Sequence, residues 1–536
     1  MMKIKSFLYV AAVVLLFAAC SKDTGEEINP DGEKKWVSFK ISIPQGSSTT
    51  KAEATSVGGA NHGDTYAGTA NERKITAVRV VLYNSSDEVV YPFDLVAATD
   101  GTAAIAGTDV STAATATNTY FVSTGKEVLT QPYKMAVLIN PTSAMLTATA
   151  KAAPLTSLEA AATVSVSTFA NTTNGVMMSN SQGLVDVPTT ALQTSAASAE
   201  GAPVSAAVDR SVAKVFVNVP SGGIAVTNSV NGDAVDPASI KWLLDITNKK
   251  SFYLRKQAPM ITAVGSLPNT AATTGAEVID NSAAGRLVRY ATDPNWIGFN
   301  SIPAGDPLLA AEFNMSDETS TNFKTLGWAD ADGDYVLENT MNAADQFEVE
   351  TTRILVKMNY VPNGITAGAD WISYKGYIFT KAAFLDSFKV AIDSILVGIP
   401  ATREMIGLPY GFKADMEAIY VANGGDATPG QTYDATAEPT FTAAFVQNNL
   451  KFYLGGMSYY KVLIRHFDDS QQPVKMAYGR YGVVRNNLYK IELASVSGPG
   501  DPVVVPPDGP DDDDTSFLSA EISVLPWLVR TQSVNL

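Results

Sequence analysis

Cysteine is almost missing from this sequence: its 536 residues contain one, Cys20. Internal disulfides are therefore excluded, and stability has to come from packing and hydrogen bonding. Histidine is nearly as scarce, with only His62 and His466, which excludes a histidine-rich metal site. Positive charge is in deficit, since the formal net charge is −16. That balance argues against nucleic acid or an anionic membrane surface as a partner. Charged residues of either sign reach only 17%, and nearly uncharged stretches such as Gly101 to Ser123 recur. Motifs of catalysis are missing too: there is no G-x-S-x-G, no H-E-x-x-H, no phosphate-binding glycine loop and no cysteine nucleophile beyond Cys20. No enzyme, cofactor or metal is indicated, and only carboxylate-pair chemistry is left open by the residue types.

What is present is enough apolar material, 46% of the residues, to bury sizeable cores. The length is too great for one ordinary core and points to two large domains. The first residues have the form of a secretory signal, with basic Lys3 and Lys5, an apolar run from Phe7 to Phe17, and small residues at Ala18-Ala19. The run is too short to be a lasting membrane span. Cys20 stands where a bacterial lipoprotein signal places the residue to be lipidated; an ordinary secretory signal with an incidental cysteine is the alternative.

Two stretches share one pattern. Trp36-Val-Ser-Phe-Lys-Ile-Ser-Ile-Pro44 alternates Val37, Phe39, Ile41 and Ile43 with Ser38, Lys40 and Ser42. Phe517 to Val529 alternates Leu518, Ala520, Ile522 and Val524 with Ser519, Glu521 and Ser523. Period two is the mark of a half-buried strand. Between the last domain and the terminal strand lies Ser497 to Asp514, built of Pro, Gly and Asp, whose composition predicts an extended, mobile tether. Pro526 cannot donate to a ladder and is expected to divide the terminal strand or mark a change of sheet. Trp527 beside it is a candidate anchor in a pocket.

Other strand candidates are short and separated by turn signals: Lys74–Tyr83, Lys134–Asn140, Val176–Ser179, Asp209–Val219, Ile240–Ile246, Phe252–Leu254, Thr352–Tyr360, Trp371–Phe379, Phe452–Leu454, Ser458–Arg465 and Val484–Leu493. A short helix capped by Ser157 and a longer one over Ala382–Val397 are the helical candidates. Turn residues Thr247 to Lys250 suggest a hairpin. Many short strands point to antiparallel sandwiches, with a domain boundary near Pro203.

Three stretches, Val483-Val-Arg-Asn-Asn-Leu-Tyr489, Ile522-Ser-Val-Leu-Pro-Trp527 and Arg210-Ser-Val-Ala-Lys214, together with the layout, resemble the fimbrillins of Bacteroidota type V pili, and within them the minor-fimbrium subunits of Porphyromonas. The resemblance implies two transthyretin-like antiparallel β-sandwich domains in a lipoprotein precursor, lipidated with palmitate at Cys20 and carried to the outer membrane surface. It implies that a trypsin-like protease cuts the loop after the first strand, and that the terminal strand of another subunit fills the groove. In Porphyromonas the cut follows arginine; here no arginine lies between Trp36 and Gly68, and the matching position is Lys51-Ala52, with Arg73 a second basic residue against a strand.

The expected organisation is signal 1–19, lipidated propeptide with a removable first strand 20–51, N-terminal sandwich 52–203, C-terminal sandwich 204–496, acidic tether 497–514 and donor strand 515–536. The expected function is a fimbrial stalk subunit supporting adhesion, biofilm formation and virulence. Its expected partners are identical subunits head to tail, anchor and tip accessory subunits, the processing protease, surface receptors and, through lipid before cleavage, the outer membrane. Strand exchange is energetically coherent: four or five alternating apolar side chains at about 1.5–3 kcal/mol each give roughly 6–15 kcal/mol gross, with main-chain pairing added. From pattern alone, a terminal strand paired within its own domain stays equally open. A static surface lipoprotein binding glycan or host protein is the competing function. Asp330-Ala-Asp-Gly-Asp334 resembles the start of a calcium loop, but Tyr335 and Met341 stand where such a loop needs Gly and Glu; it reads as an acidic turn. Asp511 to Asp514 reads as a solvated charge run.

Overall fold

Laying an alternating sequence on a pleated backbone sends every second side chain to one face, and two such faces closed on each other make a core. The computed structural model describes residues 32–43, 68–113, 120–181, 183–227, 232–256, 278–279, 289–295, 307–340, 347–447, 449–465, 481–507 and 518–526. Cys20, Lys51-Ala52, Trp527, the two histidines and Asp511–Asp514 lie outside them.

The first domain is built on one long sheet, with short two-stranded pairings beside it. Its spatial order is Val89–Leu95, Val78–Tyr83, Tyr133–Ile139, Met178–Asn180, Val204–Arg210, Phe39–Ser42, Tyr120–Ser123 and Val110–Thr112, with Val185–Val187 also on Tyr133–Ile139. Phe39 and Phe93 lie on strands separated by four others in that order, yet their rings are 6.0 Å apart. The sheet is therefore folded over on itself, and Val80, Leu82, Val137 and Ile139 share one core with Val37, Phe39, Ile41 and Ile43.

The second domain is a sandwich of two sheets. One holds Val212–Asn218, Asp334–Leu337, Asn487–Val496 and Leu518–Pro526; the other holds Lys241–Asp245, Lys324–Thr325, Arg353–Val361 and Met457–Leu463. Val215, Val217, Ile491 and Leu493 from the first meet Trp242, Val356 and Tyr360 from the second. Between Val361 and Met457 the chain builds a further unit. Its four-stranded sheet is packed by the helices Lys381–Leu396 and Phe412–Ala422, around a core rich in Phe and Tyr. Thr380 caps the first of these helices, its Oγ1 accepting from Ala383 N at 3.1 Å.

The chain is mostly β, as its alternation implies, and most pairings are antiparallel. Among the described strands three pairings run parallel: Phe39–Ser42 with Val204–Ala207, Lys214–Asn218 with Leu488–Glu492, and Ala225–Val226 with Ser495–Val496. Several local expectations change. Asp209 to Val219 is two strands in different domains, since Val204–Arg210 pairs within the first sheet and Val212–Asn218 within the second. The division between sheets therefore falls at Ser211, beyond Pro203. Trp371–Phe379 is a hairpin turning at Lys375-Gly376, both at positive φ. Thr247 to Lys250 is no hairpin, because Thr247–Asn248 pairs with Phe313–Asn314 while Lys250–Phe252 pairs with Ala161–Thr163 of the first domain. The helix near Ser157 starts earlier, at Leu155.

Replacing Phe39 by Ala should lower stability by about 3–5 kcal/mol, the usual cost of emptying a buried aromatic site, measured by chemical denaturation of the full chain. Lys40→Ala, which removes a half-buried ammonium 3.9 Å from the centre of the Tyr120 ring, should cost under about 1 kcal/mol. Equal effects would contradict the observed burial.

Candidate functional site

The first alternating stretch changes partners half-way. Lys34–Val37 pairs antiparallel with Lys126–Leu129, and Phe39–Ser42 then lies between Tyr120–Ser123 and Val204–Ala207. Ser38 makes the switch from a fully buried position. Its Oγ donates to Ser123 O at 2.6 Å, Phe39 N donates to Ser123 Oγ at 3.0 Å, and Val204 N donates to Ser38 O at 2.8 Å. Trp36 and Gln193 exchange two backbone hydrogen bonds of 2.8 Å each. Val37, Phe39 and Ile41 are completely buried and Ile43 nearly so, as the alternation predicts. This strand is central, so its departure would unpair both neighbours at once and open the core beneath.

Downstream of the strand the chain is fastened independently. Glu72 opens a short helix, Ala70–Arg73, through a capping box: its Oε2 accepts from Thr69 N at 2.7 Å. Its Oε1 accepts from Lys214 Nζ and Tyr335 Oη, each at 2.7 Å, and its carbonyl from Arg210 Nε at 3.2 Å. Glu72 and Lys214 are both buried, so the pair ties the first domain to the second where water cannot screen it.

The terminal strand Leu518–Pro526 lies in its own second domain. It runs antiparallel to Asn487–Val496 from Leu518↔Val496 to Pro526↔Asn487, with a bulge at Ala494. Leu518 and Ile522 are buried in the second core and Ala520 packs against it. Pro526 is the last described residue of the strand and pairs with Asn487, the first residue of its partner. The two alternating strands are thus not brought together: each completes a different core. The tether begins differently from its composition, because Gly498, Gly500, Pro502 and Pro507 are buried. Its carbonyls and amides find partners on the second domain.

The other two motif stretches meet at the seam between domains. Arg485 Nε donates to Glu338 Oε2 at 2.8 Å and Nη2 to Phe252 O at 3.0 Å, while Arg255 Nη2 donates to Arg485 O at 3.3 Å. Arg255 Nη1 lies 3.5 Å from Asp209 Oδ2. Asn486, at φ 62°, donates from Nδ2 to Asp209 Oδ1 at 3.1 Å and from its backbone to Val212 O at 2.9 Å, and accepts from Arg210 N at 3.3 Å. Asparagine tolerates that left-handed backbone better than most residues. Burial lowers the Arg485 guanidinium pKa. The motif therefore works as a rivet, a role that its sequence did not disclose.

Beside the rivet, Asp293 is fully buried and accepts from Asn248 Nδ2 at 2.6 Å, Asn295 N at 2.7 Å, Asn295 Nδ2 at 2.9 Å and Thr340 N at 2.9 Å. Burial outweighs those donors and pushes its carboxyl up to about 7. Of the acidic turn, Asp330 pairs with Lys214, Asp332 accepts from Ala329 N at 3.1 Å, and Asp334 lies 3.7 Å from Lys324 Nζ. Among the described residues no group of three or more His, Cys, Asp or Glu side chains converges to hold a metal ion. The unit between Val361 and Met457 is the apolar part of the surface. Of thirteen exposed large hydrophobics among the described residues, ten lie in it, Ile406 and Tyr410 the most exposed.

Comparison with known families gives two matches. Residues 38–210 match the model described as major fimbrial subunit protein (FimA), and residues 451–533 match that described as major fimbrial subunit protein type IV, fimbrillin, C-terminal. No curated protein matches the chain. Among solved structures, a fimbrilin (FimA) from Porphyromonas gingivalis is 16% identical with a TM-score of 0.40, covering 92% of this chain and 99% of that one. A cell adhesion protein from Parabacteroides distasonis is 13% identical with a TM-score of 0.38, at 92% and 99% coverage. The tip fimbrial protein of P. gingivalis is 10% identical with a TM-score of 0.32, at 92% and 100% coverage.

Arg485→Ala should cost about 3–5 kcal/mol by leaving Glu338 buried without its cation, and Arg485→Met with Glu338→Leu should recover part of it; denaturant unfolding of the three proteins checks this. Asp293 binds its proton more tightly folded than unfolded between its usual 3.8 and about 7. Its contribution to stability therefore falls as pH rises through that window. The stability of the natural chain relative to Asp293→Asn should decline from pH 4 to 7 and then level; a rising difference would contradict the assignment.

Proposed function

Because residues 38–210 and 451–533 match models of fimbrial subunits, we propose that the chain is a fimbrillin of the Bacteroidota type V kind, a structural stalk subunit of a cell-surface fimbrium that assembles by strand exchange. The observation that carries the reading is the seat of the first strand. Phe39–Ser42 is held in the middle of a sheet, and the segment that joins it to the rest of its domain contains Lys51-Ala52. One cut there leaves the strand bound by non-covalent contacts alone, while Glu72 fastens the described chain that resumes at Gly68 to the seam.

In this reading the precursor is lipidated at Cys20, reaches the outer membrane, and loses residues up to Lys51. The vacated groove, bordered by Tyr120–Ser123 and Val204–Ala207, accepts the strand of a second subunit that presents Leu518, Ala520, Ile522 and Val524, with Pro526 and Trp527 at its end. A subunit with both a removable strand and a donor propagates a stalk head to tail, bounded by anchor and tip subunits. Adhesion to host or bacterial surfaces, biofilm formation and virulence follow from the polymer. A fimbrial role needs no catalysis, in keeping with the family.

A second reading has one observation in its favour: both alternating strands are seated in their own domains. A surface lipoprotein that keeps both would bind glycan or host protein without polymerising.

Sequencing the N-terminus of the surface-exposed protein separates the two. Ala52 as first residue is the expected result, and a blocked, lipid-bearing Cys20 on the working form sinks the stalk reading. Deleting Phe517–Leu536 should abolish ladders of polymer in denaturing gels and filaments by electron microscopy; ladders that persist unchanged rule out the terminal strand as donor.

A further inference from the structure

The segment that precedes the terminal strand is composed like a free linker, yet its first residues are held by a series of hydrogen bonds to the second domain. Tyr460 Oη donates to Gly498 O at 3.1 Å and Tyr453 Oη to Gly500 O at 2.8 Å. Burial raises the pKa of both phenols, so they stay protonated and remain donors. Asp501 and Tyr459 form a two-way backbone bridge, with Tyr459 N to Asp501 O at 2.7 Å and Asp501 N to Tyr459 O at 3.0 Å. Lys451 Nζ donates to Asp501 Oδ1 at 2.6 Å. Further along, Val504 N donates to Glu318 Oε2 at 3.3 Å and the buried Arg353 donates from Nη2 to Val505 O at 3.3 Å.

The fit is as specific as the bonding. A Cβ on Gly500 would lie 2.1 Å from Tyr459 O, so only glycine lets the segment come this close. Tyr453 is itself fixed by Trp371, stacked on it with ring centres 3.7 Å apart. Both belong to the unit between Val361 and Met457, which thereby supplies half of the shelf. None of these contacts involves Leu518–Pro526. The terminal strand is held by Asn487–Val496 in the opposite sheet.

We propose that Gly498–Asp501 is a fixed root of the terminal strand, a clasp that stays closed on the second domain when Leu518–Pro526 leaves its place. The departure of the strand rests on the strand-exchange reading; the independence of the clasp does not. With the clasp closed, the arm starts after Pro507 rather than at Ser497. The ten residues Asp508–Phe517 then limit its reach to about 36 Å at full extension, roughly half of what a free segment from Ser497 would give. The clasp thus sets how far apart two consecutive subunits sit.

Hydrogen exchange on the full-length monomer tests the clasp whether or not polymers form, and ladder formation tests the exchange reading separately. In Ile522→Asp, which puts a charge under the terminal strand, the amides of Leu518–Leu525 should lose protection while those of Tyr459 and Asp501 keep the rates of the natural chain. In Gly500→Val the pattern should reverse, with Tyr459 and Asp501 losing protection and the terminal strand keeping it. If Ile522→Asp does not fold, Gly500→Val decides alone. Loss of protection in both segments, or in neither, overturns the proposal.

Discussion

A strand in the middle of a sheet satisfies the backbone groups of two neighbours at once, and the first domain of this molecule depends on one such strand. Phe39–Ser42 serves Tyr120–Ser123 on one side and Val204–Ala207 on the other, and four apolar side chains of the same stretch close the first core. An edge strand could be lost with little damage. A central one cannot, because two rows of amides and carbonyls and a slice of core would face water together. A subunit that loses this strand is unstable until an equivalent strand arrives. In the proposed strand exchange, that loss would be the trigger for association.

The second requirement is that the rest of the subunit survive the loss. The seam between domains answers it. Glu72, Arg210 and Lys214 join the chain downstream of the first strand to the second domain, and Asp209, Arg255, Glu338, Arg485 and Asn486 form a second fastening. Buried ion pairs stabilise little by comparison with apolar packing of the same volume, but breaking one is costly and geometrically exacting. Here they fasten the two domains to each other, and neither fastening uses the first strand.

Much of this was legible in the sequence, and the limits have physical causes. Alternation identified Val37, Phe39, Ile41 and Ile43 as core-facing, because period two depends on backbone geometry alone. It did not reveal the change of partner at Ser38, since a buried serine bonded to Ser123 keeps the same phase on both sides of the switch. The run Asp209 to Val219 read as one strand because nothing in it breaks the pattern, although the chain passes from one sheet to the next at Ser211. The rivet residues stood out as a motif, yet their partners lie hundreds of positions away and no local rule locates them. The helix Phe412–Ala422 went unread although Phe412, Met416 and Tyr420 fall at helical spacing, because a glycine rather than a side-chain cap opens it. Composition misdescribed the start of the tether for a related reason: Gly and Pro bury little of their own, but a neighbour can still bond their carbonyls.

If subunits join by strand exchange, the terminal strand must first leave Asn487–Val496. Lys490 and Ser523 face each other in the paired register, so cysteines at both positions, closed by a short thiol cross-linker, lock the strand at home without touching the first domain or the groove. Polymer formation by the processed, cross-linked subunit is the decisive measurement. The locked protein should stay monomeric while the same double variant without cross-linker forms ladders; polymerisation of the locked protein at the uncrosslinked rate would rule out donation by the terminal strand.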